Sequence, residues 1–376
     1  MPLDTGDTSF MLVATALVMI MTPGLAFFYG GLVSRKNVLA IMMQSYVSMG
    51  VSTILWVAVG YSLCFSGDVG GMGIIGNLDM AFLRGIEVTD LGGLNDTIPL
   101  LLFVVYQMMF AIITPALITG AFANRITFKA YLIFLVAWQI LVYYPFVHMI
   151  WGGGMLADWG VLDFAGGIVV HALAGMAALA SVIYVGKRRV EDAGAHNVPF
   201  VAIGAALLWF GWFGFNAGSE LAVDGVTAVA FINTQIAAAF AAITWLLLAW
   251  HYDGKPSFVE MLIGMIAGLA TITPAAGFVS PQSAMLIGVA AGAACYFAVV
   301  FRKKKGLDDA LDVWGVHGVG GALGIIMLGV LASESIGGQN GLYHGNQDFF
   351  MVQLAGLALA CVWAFAFTYG MLMMID

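Results

Sequence analysis

Apolar residues run along this chain in long blocks, separated by short breaks of charged residues, Gly, Pro and Asn. Each block is close to the roughly 20 residues that a helix needs to cross a hydrocarbon layer about 30 Å thick. The pattern predicts about eleven spans, near 9–32, 38–65, 98–121, 128–147, 165–186, 199–217, 227–250, 257–275, 283–301, 313–333 and 349–374. The expected fold is an all-α integral membrane protein, a single membrane domain over 1–376.

The basic residues test this count independently. Arg35, Lys36, Arg125, Lys129, Lys187, Arg188, Arg189, Lys255 and the run Arg302 to Lys305 all fall in alternate loops, and only Arg84 falls in the other set. A missed or invented span would scramble that alternation. The positive-inside rule makes the favoured loops cytoplasmic, which predicts an N-out/C-in topology. Acids lean the other way: Asp68, Asp79, Glu87, Asp90 and Asp96 share one outer loop, where they can concentrate cations.

Five spans precede residue 190 and five follow it, so the second half must enter from the opposite face. The fifth span carries Asp163 and His171, and the tenth carries Asp312 and His317, each an acid followed by a histidine in a Gly-rich segment. This predicts an inverted 5+5 repeat, with halves near 9–186 and 199–333 and a last helix near 349–374, and a site near the midplane between the halves. The 48 glycines fit helices packed closely through small residues.

Composition agrees and excludes several classes. The chain is 62% hydrophobic and 9% charged, with mean hydropathy +0.98, whereas soluble domains carry about 25% charged residues. The net charge of −8, with cations confined to short loops, leaves no basic stripe for nucleic acid. Cys64, Cys295 and Cys361 are far apart in apolar segments and read as small fillers without disulfide or zinc spacing. Met1 to Asp7 lacks the basic region of a cleavable signal peptide. Every lysine reads as a loop residue, which leaves none mid-span for a retinal Schiff base, and no phosphate loop is present for ATP-driven pumping.

Polar groups inside the spans carry the candidate chemistry. If helical from Asp163, the chain places His171 about 12 Å further along, well into the hydrocarbon, and His317 enters from the other side. One such histidine is as readily a structural hydrogen bond as a functional group. Two in equivalent places of a repeat favour function, since neutral imidazoles each offer one donor and one acceptor and can share a proton. Bis-histidine haem ligation is the competing chemistry and needs a ring-sized cavity. Asp163 reads first as a helix cap, with Asp312 similar at the other face. Spacing alone leaves Trp151 an interfacial residue, Phe110 and Phe215 packing, and Ser219 a loop or cap residue.

These residues resemble one family. Asp163-Phe164-Ala165-Gly166-Gly167 through His171 to Gly186-Lys187-Arg188 is similar to the signature segment of the ammonium transporter/methylammonium permease/Rhesus proteins. Pro23-Gly24, Phe28 to Leu32, His148 to Gly154, Gly211 to Ser219, Thr273-Pro274-Ala275 and Gly315 to Gly318 match in family order, so the likeness covers nearly the whole chain. It departs at Tyr106, beside the family's glutamine, here Gln107.

The resemblance implies ammonium recruitment by Trp151, Phe110 and Ser219, and a gate of Phe110 and Phe215. It also implies a pore through His171 and His317, Asp163 as the supporting acid, and a homotrimer in the cell's inner (plasma) membrane. No enzyme activity and no cofactor is expected; the partners are ammonium or ammonia and membrane lipid. The family usually carries a cytoplasmic tail that contacts PII-type regulators, whereas this sequence stops at Asp376. That leaves either a shortened chain or a membrane domain cut from a fusion. The alternative function is accordingly an ammonium sensor with a fused C-terminal signalling domain and little transport.

Overall fold

The computed structural model describes residues 3–190 and 194–375; Met1 and Asp376, the bounds of the expected domain, lie outside it. The architecture is all-helical. Among the described residues, ten helices are long and apolar enough to cross a membrane: α1 (Thr5–Leu32), α2 (Arg35–Phe65), α3 (Leu100–Ile118), α4 (Phe128–Asp158), α5 (Gly167–Val185), α6 (Val198–Glu220), α7 (Gly225–Asp253), α9 (Pro281–Lys304), α10 (Trp314–Leu331) and α11 (Gln347–Ile375). Between α7 and α9 lies α8 (Phe258–Ile272), apolar but shorter. Each expected span overlaps one of these helices; most ends are displaced by a few residues, and α4 runs on past the expected 147 to Asp158.

Helix starts follow the side chains available. Asp4 accepts from the N–H groups of Gly6 and Asp7 to begin α1. Asp224 and Thr227 form a reciprocal capping box at α7, and Ser257 and Ser280 cap α8 and α9. Such caps satisfy the amide donors that the first turn of a helix leaves unpaired. Arg302, Lys303 and Lys304 end α9, where cations complement the carbonyl end of the helix dipole. The expectation that every lysine lies in a loop is corrected here: Lys36, Lys129, Lys303 and Lys304 are helical, all within a terminal turn.

In lipid there is no hydrophobic force between helices, so close packing needs small residues. The first helices of the two predicted halves, α1 and α6, show this. A Cβ added to Gly204 would lie 2.2 Å from the Phe28 nitrogen, and one on Gly24 would lie 2.9 Å from the Leu207 Cβ.

The basic loops gather on one face. Lys36, Arg125, Lys187 and Arg188 line a single cavity there. Asp308, from the loop before α10, holds Arg188 through its side chain at 2.7 and 3.0 Å and its backbone N–H at 2.6 Å, with Arg125 3.6 Å away. Burial pushes the Asp308 carboxyl up, but the two guanidinium groups outweigh it and hold it below the usual range. This ion pair joins loops from both halves of the chain.

Candidate functional site

The two histidines meet. His171 Nδ1 and His317 Nδ1 are 3.2 Å apart, with rings nearly parallel at 14° and centroids 5.2 Å apart. Both side chains are buried.

The local backbone explains the meeting. Each histidine sits in a π-helical turn, Gly167–Ala172 at the start of α5 and Trp314–Gly318 at the start of α10. Four residues on, and so on the same face, stand Gly175 and Gly321. A Cβ on Gly175 would fall 2.0 Å from the Gly318 Cα. One on Gly321 would fall 2.7 Å from the Gly167 carbonyl and 2.8 Å from the His171 Cβ. Each helix thus presses a glycine against the other's π-helical turn, and only the missing side chains let the imidazoles come within hydrogen-bonding range. The His-x-x-x-Gly spacing shared by the two halves is the sequence signal for this crossing.

Asp163 holds the start of α5. One carboxylate oxygen accepts from Gly166 and Gly167 at 2.9 and 2.6 Å, and the other from Ile168 and Val169 at 2.8 and 3.1 Å. Those are the amide donors that a helix start leaves unpaired. Burial pushes this carboxyl up from the usual range while the four amides pull it back. Gly166 takes φ +116°, where a Cβ would also strike Val170 at 2.6 Å. The chain from Asp163 to Gly166 is not helical, so the expected 12 Å offset of His171 along a helix does not apply.

The matching expectation for Asp312 is corrected. Asp312 pairs with Arg302, and it is Asp309 that accepts from the Trp314 N–H at 2.7 Å. Asp312 takes φ +59°, a turn that carries it away from the helix start.

From the histidine pair a row of rings leads outward. Phe215 lies 6.1 Å from His171, Phe110 4.4 Å from Phe215, and Trp151 5.9 Å from Phe110, centroid to centroid. Phe110 and Phe215 are fully buried. Trp151 is half-buried, and its indole N–H donates to the Asp163 carbonyl at 2.8 Å, which fixes the ring. Ser219 donates to the Phe215 carbonyl at 2.8 Å and lies 3.2 Å from the Tyr106 hydroxyl. Trp151, Phe110 and Ser219 line one cavity of about 440 Å³ with Gln107 and Glu220. Below Phe215 the space around the histidines shrinks to about 10 Å³, near the room one water needs, with apolar walls that include Leu25, Ile113 and Leu208.

Of the seven predicted residues, Phe110, Trp151, Asp163 and Ser219 line the outer cavity, and Phe215, His171 and His317 line the small space below it. Sequence reasoning missed Trp212, which stacks on His171 at 5.5 Å and donates to Thr273 at 2.9 Å, and it missed Glu220. Trp212 lies in a run of aromatics with nothing to single it out. Glu220, an acid at the end of an apolar block, was visible.

The haem alternative does not fit. Two axial imidazoles would stand about 4 Å apart across a metal, from bonds of roughly 2.0 Å each, with a macrocycle between them. Here the ring nitrogens are 3.2 Å apart in a space of about 10 Å³.

Comparison with known proteins identifies the family. Residues 9–376 match the model of the Ammonium Transporter Family. The chain is 47% identical over 371 residues to the ammonium transporter of Bacillus subtilis, covering 98% of this chain and 91% of that protein. The crystal structure of Saccharomyces cerevisiae Mep2 superposes with TM-score 0.92 at 34% identity, covering 99% of this chain and 85% of that one. A structure titled Sensor Amt Protein superposes with TM-score 0.90 at 28% identity, covering 98% and 92%. With its helices, its histidine pair and these similarities, the chain belongs to the ammonium transporter family, as a multi-pass membrane protein whose substrate is ammonium.

Proposed function

We propose that this protein conducts ammonium by separating it into ammonia and a proton at the aromatic gate and passing both along the histidine pair. The observation that most supports this is the unbroken row from Trp151 through Phe110 and Phe215 to two imidazoles 3.2 Å apart.

Recruitment comes first. Ammonium is a compact cation, and an aromatic face attracts it by about 0.5–2 kcal/mol, more as water is removed. With its own N–H on the Asp163 carbonyl, Trp151 offers the ring face. Ser219 spends its proton on Phe215, so its oxygen lone pairs remain to accept from ammonium. A bare ion cannot follow this path further, because moving an unpaired charge into an apolar constriction costs far more than a ring face returns. Neutral ammonia can.

The pair then provides direction. If His171 Nδ1 carries the shared proton, its Nε2 is an acceptor while the Nε2 of His317 is a donor; the other tautomer reverses both. His171 Nε2 is buried without a protein partner, so a passing ammonia or proton meets a free ring nitrogen. The N–H bond broken at the gate re-forms beyond the pair, and the net charge crosses as the proton while no intact ammonium ion does.

In this reading the basic face is cytoplasmic and the aromatic cavity is outside, giving N-out/C-in in the inner (plasma) membrane. The family likeness adds homotrimers with one pore per subunit, and a PII-type regulator or a fused signalling domain as partner. A sensing role is the second reading, supported by the similarity to Sensor Amt Protein. Proteoliposomes on a solid-supported membrane separate the two. Transport gives an ammonium-evoked current whose decay shortens as more protein is reconstituted per vesicle. Binding alone gives a brief signal of constant decay time, and that result would replace conduction by sensing.

A further inference from the structure

The outer cavity holds two carboxylates, and they differ in what they do. Asp163 commits both oxygens to the four amides that open α5. Glu220 lines the same cavity, follows Ser219 directly, and has no hydrogen-bond or ion-pair partner among the described residues. Among the described residues, no lysine or arginine lines this space. The nearby Asp224 is occupied in capping α7.

The turn that carries Glu220 is held from both sides. It is the last residue of the 3₁₀ turn Gly218–Glu220. Before it, Ser219 is tied to Phe215 and Tyr106. After it, Leu221 takes φ +60° and its carbonyl accepts from Asn95 at 2.9 Å. The side chain is half-buried in a cavity whose walls are mainly aromatic and aliphatic, an unusual place for an acid without a partner. A solvated surface acid needs no such setting. The group that would complement it is the cation that enters this cavity.

We infer that Glu220 is an affinity-determining residue of the outer cavity, whose carboxylate draws ammonium to the site formed by Trp151 and Ser219. This rests on the recruitment reading above. Low-dielectric walls focus the field of a fixed charge and raise the local concentration of a counter-ion. The carboxylate lies one residue from the serine that accepts from ammonium, so it acts on the bound cation as well as on its approach. Glu220 does not enter the gate or the histidine pair, so it sets how much ammonium is captured rather than how fast the captured ion is processed.

The test uses the full chain in proteoliposomes, with half-saturating ammonium and maximal current measured in low and high salt. Glu220→Gln keeps the shape and removes the charge. It should raise the half-saturating concentration by roughly threefold to tenfold, within the range of a partly exposed charge interaction. Maximal current should stay near the parent value. The effect should shrink in high salt, where charges are screened, and Glu220→Asp should recover much of it. An unchanged half-saturation in Glu220→Gln, or a shift that high salt does not reduce, overturns the inference. Trp151→Leu in parallel separates the two levels. If it weakens affinity while Glu220→Gln does not, recruitment stands and the role of Glu220 is refuted; if neither shifts affinity, the recruitment reading falls and takes this inference with it.

Discussion

At the scale of single residues, Asp163 bears the largest structural share of the site. A buried amide left without an acceptor costs about 1–3 kcal/mol, and Asp163 satisfies four of them. Asp163→Ala should therefore destabilise the protein by several kcal/mol and release the π-helical turn that carries His171. Asp163→Asn keeps one acceptor oxygen and should fall between the parent and the alanine variant. Thermal unfolding in detergent tests the order; an alanine variant as stable as the parent would show that water takes over the amides. The sequence already marked Asp163 as a cap, because an acid before a Gly-rich helix has few other uses. It could not distinguish Asp309 from Asp312, since both precede α10 and the choice depends on a left-handed turn at Asp312.

At the scale of helices, the meeting of α5 and α10 decides whether two histidines form one site. Hydropathy located both helices well because twenty apolar residues are a long signal. It gave no sign of the π-helical turns, whose extra residue per turn leaves no periodic trace in an all-apolar block. Glycine content predicted close packing but not which glycines touch; only coordinates single out Gly175 against Gly318 and Gly321 against Gly167. Gly175→Ala places a methyl 2.0 Å from the Gly318 Cα, which is backbone and cannot swing aside. The helices must separate, at a cost of about 3 kcal/mol or more, the upper end for overpacking. A lower unfolding temperature with loss of ammonium current is expected. A Gly175→Ala variant with the parent's stability and current would mean the crossing has slack that the histidine geometry does not need.

At the scale of the whole molecule, alternating charge along the chain became a basic face, with Asp308 joining the two halves by its hold on Arg188 and Arg125. The alternation was legible, whereas this partner was not, because the pairing spans 120 residues. Beside it, burial and then the neighbouring Asp312 charge push the Asp309 carboxyl up to about 6, against Arg302 and the backbone amides. A raised carboxyl favours the folded state while protonated. Its contribution is present below the unfolded value of about 3.9 and is lost as pH rises through about 6. The unfolding temperature of Asp309→Asn should gain on the parent's between pH 4 and pH 7, and a constant gap would contradict the assignment.

In the conduction proposed above, charge crosses this protein only because two imidazoles carry the proton apart from ammonia. The direct measurement is the ammonium-evoked current of the His171→Ala/His317→Ala double variant beside the parent, in proteoliposomes matched for protein content. A current at least tenfold smaller is expected, a barrier rise of about 1.4 kcal/mol or more. A double variant that passes current as large as the parent's would show that the charge travels without the histidines.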